Sequence, residues 1–462
     1  MAAKLLAALT GFALLGPAFS ADGSGRPAAP DFVFIVADDL GYADVGFNGS
    51  EEIPTPHLDR IADEGLRFTD GYVSFPVCGP SRAGFLTGRF QDRFGFTRNP
   101  TADPSNPDAG IPVDERMISE ALASAGYQTM AVGKWHVGTH PSLRPLNRGF
   151  ERFFGFLSGG HKYFPEELTV ERIEDVKKRG DWYRTKLLDD DTPVEIDEYL
   201  TDELSHAAAD FVADADDRPF FLSLAYNAPP TPMQATPNYL ARFDHIEDRR
   251  RRTYAAMVSA MDDGVGEVLD SLDEAGRAEN TLVVFLSDNG GAESNASSNS
   301  PLRAHKGTYF EGGIRVPFAV RWPARIAAGS VSRTPVSSLD LYATLVDVND
   351  IAVPSDKPLD GRSLVSIFDD PTAEQPARDL FWRLAYRDPS YTIRRGSLKG
   401  IVDPEKGTML FDLEADSAET TDLSRERPAA MRELGDAAKN WGADFPRDAA
   451  FPGRLSWPAE AD

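Results

Sequence analysis

The sequence predicts an α/β protein: a large, mostly parallel sheet sandwiched by helices, followed by a smaller C-terminal α+β domain with an antiparallel sheet. Three observations lead there. Four short apolar runs rich in Val, Ile and Phe recur between residues 32 and 286, each ending abruptly in polar residues. Helical patterns fill the spaces between them, and strand alternating with helix implies parallel strands with helices on both faces. Near residue 350 the pattern changes to shorter segments separated by loops.

Residues 1–20, MAAKLLAALTGFALLGPAFS, carry one positive charge at Lys4, a short apolar run and the small-x-small site Ala18-Phe19-Ser20. This reads as a secretory signal peptide. The run is too short to span a bilayer, the cleavage site has no cysteine for a lipid anchor, and no later segment is apolar enough for a membrane helix. The mature protein is expected to be exported, to the periplasm or outside the cell, with no membrane anchor.

A large α/β domain is expected over residues 30–348. Its strands are Phe32 to Val36, Tyr127 to Val132, Phe220 to Leu224 and Leu282 to Leu286. They lead into Asp38-Asp39, Lys134-Trp135-His136, Asn227-Ala228-Pro229-Pro230 and Asp288-Asn289-Gly290 respectively. Helices are expected over Thr55 to Glu64, Asp114 to Ala125, Thr201 to Ala213 and Arg249 to Ala275. Ligands bind beyond the carboxyl ends of strands in such sheets, so all four polar clusters point to one site. The stretch Glu293 to Ser300 reads as a flexible polar loop. The smaller domain, residues 349–455, contains the segments Asp379 to Leu384, Tyr391 to Ile401 and Met409 to Leu413 and a terminal helix.

With 462 residues, 41% of them hydrophobic, the chain can build a substantial core. Its formal net charge of −25 argues against nucleic-acid or anionic-membrane partners. An anionic substrate therefore needs a local positive pocket.

Asp38, Asp39 and Asp288, with the amide of Asn289, gather three carboxylates at one sheet edge, where they repel unless a cation lies among them. All-oxygen ligation suits calcium or, less well, magnesium rather than zinc. Taken singly, each pair is an ordinary turn ending a strand. Lys134 and His136, two apart on an extended segment, project from one face and suit oxyanion binding and proton transfer; Lys306, in a glycine-rich loop, has similar status. Cys78 is the only cysteine, set in PVCGPSRAGFLTGR at residues 76–89. Residues 81–87 suit the start of a helix with Cys78 just before its N-terminus, near the permanent charge of Arg82. A buried inert thiol, a thiolate nucleophile and an anion-binding turn all fit that setting.

The string CGPSR, continued as AGFLTGR to Arg89, resembles the sulfatase signature Cys-x-Pro-Ser-Arg followed by Thr-Gly-Arg. Asp38-Asp39, Lys134-x-His136, Asp288-Asn289-Gly290, Lys306, Arg315-Val316-Pro317, Leu410 to Leu413 and Glu419 to Leu423 occur in that family's order. The resemblance covers almost the whole mature chain and implies the alkaline-phosphatase-like superfamily. It implies that a maturation enzyme oxidises Cys78 to Cα-formylglycine, whose hydrated aldehyde attacks sulfur and then expels sulfate. It further implies calcium held by Asp38, Asp39, residue 78, Asp288 and Asn289. Arg82 would anchor the diol, Lys134 and Lys306 would bind sulfate oxygens, and His136 would take the proton that triggers release.

One departure stands out. The family pattern Asn-Ala-Pro-His-x-Pro is here Asn227-Ala228-Pro229-Pro230-Thr231-Pro232. Proline replaces a histidine that contacts sulfate and protonates the leaving oxygen; His305 and His161 are the candidates to fill the gap. The segment GGHKYF at residues 159–164 looks like bacterial sulfatases acting on sulfated carbohydrates, including algal galactans such as carrageenan. Arg93, Arg98, Arg148, His161 and His305 are candidate contacts to sugars or neighbouring sulfates. Two rival readings are a phosphonate or phosphate ester hydrolase of the same superfamily and a non-catalytic glycan-binding relative.

Overall fold

The four anticipated strands lie side by side at the centre of one ten-stranded sheet. In spatial order the sheet runs Ser330–Ser332, Leu66–Phe68, Phe318–Arg321, Thr281–Ser287, Asp31–Ala37, Phe220–Ala225, Gln128–Lys134, Arg152–Phe156, Leu187–Asp189 and Thr192–Val194. The computed structural model describes residues 29–178, 180–384, 389–446 and 450–451. The expected signal peptide and the expected domain end at residue 455 lie outside the described residues.

The five strands from Thr281–Ser287 to Arg152–Phe156 are parallel. Antiparallel partners join on either side, at Phe318–Arg321 and Leu187–Asp189, so the sheet is mixed at its edges. All seven residues of Asp31–Ala37 are buried, as are all those of its three central neighbours. Burial on both faces is why these strands read as continuous apolar runs rather than alternating ones. Val33 and Ile35 face a core formed with helices Leu200–Ala213 and Arg249–Glu274. Phe32, Phe34 and Val36 face the opposite core, with helices Cys78–Thr87, Ile118–Ser124 and Asp340–Val348.

Three expectations change in detail. The helix expected from Asp114 starts at Ile118, because Glu120 reaches back to accept from the Met117 N–H at 2.6 Å and fixes the N-terminus there. Tyr391 to Ile401 is two strands, Ser390–Arg395 and Leu398–Asp403, turning at Gly396 with φ +60°. Glu293 to Ser300, expected to be a flexible loop, is pinned: Asn295 and Asn299 are buried. Asn299 exchanges hydrogen bonds with the Gly291 backbone, both at 2.9 Å.

Asp379–Leu384, Ser390–Arg395, Leu398–Asp403 and Gly407–Asp412 form a four-stranded antiparallel meander. One face carries the helix Pro428–Trp441, through Ile393, Leu410, Met431 and Leu434. The other face packs Leu384, Ile401 and Phe411 against Phe75, Tyr309 and Phe310 of the large domain. Phe75 and Phe310 border the Cys78 and Lys306 segments, so this sheet abuts the loops that carry the candidate chemistry. Among the described residues, no helix is long and apolar enough to cross a membrane.

Candidate active site

The carboxyl ends of the central strands bring the acidic and cationic clusters together. The turn after Asp31–Ala37 places Asp38 and Asp39; Asp39 adopts the left-handed conformation, φ +57°, that short polar residues tolerate best. Its backbone is held from the neighbouring loops. Asp39 N–H donates to Asp288 at 3.4 Å, Leu40 N–H to the Ser287 hydroxyl at 3.0 Å, and Asn295 Nδ2 to the Asp39 carbonyl at 3.1 Å. Gly290 packs directly on the Lys306 loop: a Cβ there would fall 1.9 Å from the Gly312 carbonyl. Only glycine permits that approach, which joins the Asp288-Asn289-Gly290 turn to the lysine segment.

Cys78 is the first residue of its helix, not the residue before it, and Val77 is the extended N-cap. Its sulfur lies 3.4 Å from Asp38 Oδ1, 3.7 Å from Asp39 Oδ1 and 2.9 Å from Lys306 Nζ. Asn99 accepts from the Gly79 N–H at 2.9 Å, securing the first turn. Ligand atoms of Asp38, Asp39, Cys78 and Asp288 all lie within 4.8 Å of one another. Burial, then the Asp288 carboxylate, push the Cys78 thiol above its ordinary range, against Lys134 and Lys306. A thiolate hydrolase needs the opposite shift.

Each carboxylate has one cation. Lys134 Nζ donates to Asp38 at 2.6 Å, Lys306 Nζ to Asp39 at 2.5 Å, and Arg82 Nε to Asp288 at 2.9 Å. Burial opposes charge on all three bases, but the carboxylates outweigh it and hold each above its ordinary pKa. The protein's own charges thus balance, three against three, while Asn289 Oδ1, Arg82 Nη2 and His136 Nδ1 are buried without a hydrogen-bond partner. Buried polar atoms are normally paired. An unpaired carbonyl oxygen beside three carboxylates fits a hard, oxygen-liganded divalent ion, and an unpaired guanidinium nitrogen fits an anion.

The strand stops at Lys134, and His136 turns left-handed with φ +60°, so strand alternation does not govern this pair. His136 is nonetheless buried in the same site. Burial, then Lys134, Arg82 and Lys306, lower its pKa well below the ordinary value, which favours the neutral imidazole. Gly159 makes room for it: a Cβ there would lie 2.4 Å from His136 Nε2.

The outlying candidates separate. His161 is fully buried and packed at a tilt against Phe156, its ring nitrogens against the Lys162 and Thr185 carbonyls at 2.9 and 2.7 Å. Arg148 is buried and donates to the Ile111 and Glu115 carbonyls at 2.8 and 2.7 Å. Those internal bonds correct the expectation that either touches a sugar: both hold loops. Arg93 pairs with Asp360 at 2.6 Å on a separate cleft of about 530 Å³, lined also by Phe381 and Trp441. Arg98 is half-buried beside Asn99. His305 neighbours Lys306 at the mouth and pairs with Glu293 at 3.3 Å.

Sequence reasoning missed Asn295 and Asn99, whose amides brace the Asp39 turn and the Cys78 helix. A run of Asn and Ser directly after a site strand was the available signal for Asn295; Asn99 had none.

His161 gives a stability test. Burial lowers it to about 4, below the unfolded value of about 6.5. Its contribution is complete above about pH 6.5 and is lost as pH falls toward 4, at roughly 3 kcal/mol over the window. Denaturant titrations should show a steeper loss of stability across this range for wild type than for His161→Gln; parallel curves would contradict the assignment.

The profile described as "Sulfatase" matches residues 30–351, and that described as "N-sulphoglucosamine sulphohydrolase, C-terminal" matches 305–440. The N-acetylgalactosamine-6-sulfatase of Rattus norvegicus is 37% identical over 369 residues, covering 76% of this chain and 68% of its own. Arylsulfatase J of Mus musculus is 34% identical over 375 residues, covering 80% of this chain and 60% of its own. Among solved structures, Ps i-CgsB in complex with k-i-k-neocarrahexaose superposes with a TM-score of 0.86 at 38% identity, over 91% of this chain and 94% of that one. The phosphonate monoester hydrolase of Agrobacterium radiobacter, at 21% identity and a TM-score of 0.63, shares the fold. The shared profile, the relatives and the acid–base cluster around Cys78 converge, and the chain belongs to the type I sulfatases of the alkaline phosphatase superfamily, which are sulfuric ester hydrolases.

Proposed function

We propose that this protein is an exported hydrolase that removes sulfate from sulfated carbohydrates of the algal galactan, carrageenan type. In this reading Cys78 is converted to Cα-formylglycine, and calcium is held by Asp38, Asp39, residue 78, Asp288 and Asn289. The observation that carries the chemistry is the balanced cluster around residue 78, with Asn289 Oδ1 and Arg82 Nη2 left unpartnered in the same buried site. The substrate class is supported by the 38% identity to the structure described with neocarrahexaose.

When bound, calcium would polarise the sulfate oxygens and favour ionisation of the hydrated aldehyde at residue 78. The remaining work falls to the chain. Arg82 is fixed by Asp288 and by the Lys134 carbonyl, the latter at 2.9 Å, so its free Nη2 points a permanent charge without reorganising. Lys134 and Lys306 place two ammonium groups for the sulfate oxygens. His136 Nδ1 takes a proton during release. Losing one such donor should lower turnover about a hundredfold or more.

The test is a release assay over defined sulfated oligosaccharides, with protein co-produced with its maturation enzyme. Sulfate release from carrageenan oligosaccharides is expected; faster cleavage of matched phosphate esters would favour the phosphoesterase rival, and binding without release the glycan-binding one. His305 is expected to assist the leaving oxygen in place of the histidine that Pro230 replaces. His305→Ala should then slow alkyl sulfates more than activated aryl sulfates, and equal losses would count against that role.

A further inference from the structure

The motif Glu419-Thr420-Thr421-Asp422-Leu423 follows the last strand of the C-terminal sheet and contributes nothing to the site itself. Its first residue nevertheless reaches the loop that does. Glu419 Oε2 accepts from the Glu311 backbone N–H at 2.7 Å, and the Glu419 carbonyl accepts from Arg303 Nη1 at 2.9 Å. One residue thus grips the segment 303–311 at both ends, and Lys306 lies between the grips.

The clasp is built in unfavourable surroundings. Glu419, Glu311 and Lys399 are completely buried, and Lys399 Nζ bridges the two carboxylates at 2.9 and 2.8 Å. Glu419 also adopts φ +53°, a conformation a non-glycine residue keeps only when its environment imposes it. Buried ion pairs are poor stabilisers compared with apolar packing, and their attested use is to fix one arrangement over others. Joining the two domains does not require them, since Phe75, Tyr309, Phe310, Ile401 and Phe411 already form an apolar cluster across the boundary. What the apolar cluster cannot do is fix the loop's register. Inside the clasp, Lys306 N–H donates to the Gly291 carbonyl at 3.1 Å and Gly307 N–H to that of Pro76 at 2.8 Å. These set where Nζ stands against residue 78.

We propose that Glu419 is a positioning residue for Lys306: it holds both ends of the 303–311 segment so that the ammonium group stays over residue 78. The C-terminal domain thereby takes part in turnover without touching substrate. The inference rests on the reading that Lys306 contacts the sulfate. A displacement of about 1 Å at such a group can cost about a hundredfold.

A double-mutant cycle on matured protein tests it, with formylglycine content measured for each variant and kcat for an aryl sulfate expressed per folded, matured molecule. Glu419→Ala removes the side-chain hold on the Glu311 N–H and leaves the backbone carbonyl that Arg303 meets; it is expected to lower kcat about thirtyfold or more in the wild-type background, and less than about twofold in a Lys306→Ala background. An equal loss in both backgrounds would show a role independent of Lys306 and overturn the proposal. If Lys306→Ala alone leaves kcat unchanged, the reading of Lys306 fails and the inference falls with it, which is a distinct result. Should Glu419→Ala not fold, Glu419→Gln serves: it retains an acceptor for the Glu311 N–H but loses the charge facing Lys399. Its smaller, several-fold loss must likewise vanish in the Lys306→Ala background.

Discussion

Protein carrying Cys78→Ala, co-produced with the maturation enzyme but left with no thiol to convert, is expected to lose essentially all turnover, by about a millionfold if it follows other enzymes deprived of their nucleophile. The loss should come with little change in stability, roughly 1 kcal/mol, since a small buried side chain is shortened without exposing a charge. Wild-type protein co-produced with its maturation enzyme should show an aldehyde at position 78 by mass spectrometry. Protein made without that enzyme should fold and remain inactive. Cys78 is 3% exposed, and its whole helix is buried, so adding maturation enzyme to folded protein should restore nothing: the thiol has to be reached before the helix packs. Active protein retaining sulfur at position 78 would end this account.

Much of the site was legible because each part ends a strand. Buried parallel strands carry a readable signature, an unbroken apolar run, and the polar residues that stop the run are the ones a sheet of this type presents to a ligand. Asp38-Asp39, Lys134 and Asp288-Asn289 were therefore found by the same rule. That rule does not reach residues whose role depends on contacts distant in sequence. Glu419 clasps a segment more than a hundred positions earlier, and Asn99 braces Gly79 through a loop with no periodicity. His161 and Arg148 illustrate the opposite error. Charged or titratable types in glycine-rich surroundings resemble ligand contacts in sequence, whereas here their polar atoms answer buried backbone carbonyls.

The charge count also explains how a protein of net charge −25 can take an anionic ester. Asp38, Asp39 and Asp288 are each matched by one base, so the protein's contribution at the site is close to neutral. A divalent ion added to a neutral cluster would leave it positive, giving the anionic ester a local attraction that the protein's overall charge does not supply. Strength of substrate binding should accordingly follow occupancy of the metal site.

Calcium is expected to stabilise the protein by about 2.7 kcal/mol when present at a hundred times its dissociation constant, as for any ligand confined to the native state. Thermal melting with calcium and with chelator measures this independently of activity. Two substitutions separate binding from folding. Asn289→Ala removes the unpartnered Oδ1 while leaving the Arg82–Asp288 pair intact, so it should abolish or sharply reduce the calcium shift at a modest cost in stability. Asp288→Asn removes a ligand and also strands the guanidinium of Arg82, whose side chain is 2% exposed. Breaking a buried pair in this way costs about 3–5 kcal/mol, and calcium should not recover it. A melting curve indifferent to calcium, or one that moves equally in wild type and Asn289→Ala, would remove the metal from these residues and leave the three carboxylates explained by their bases alone.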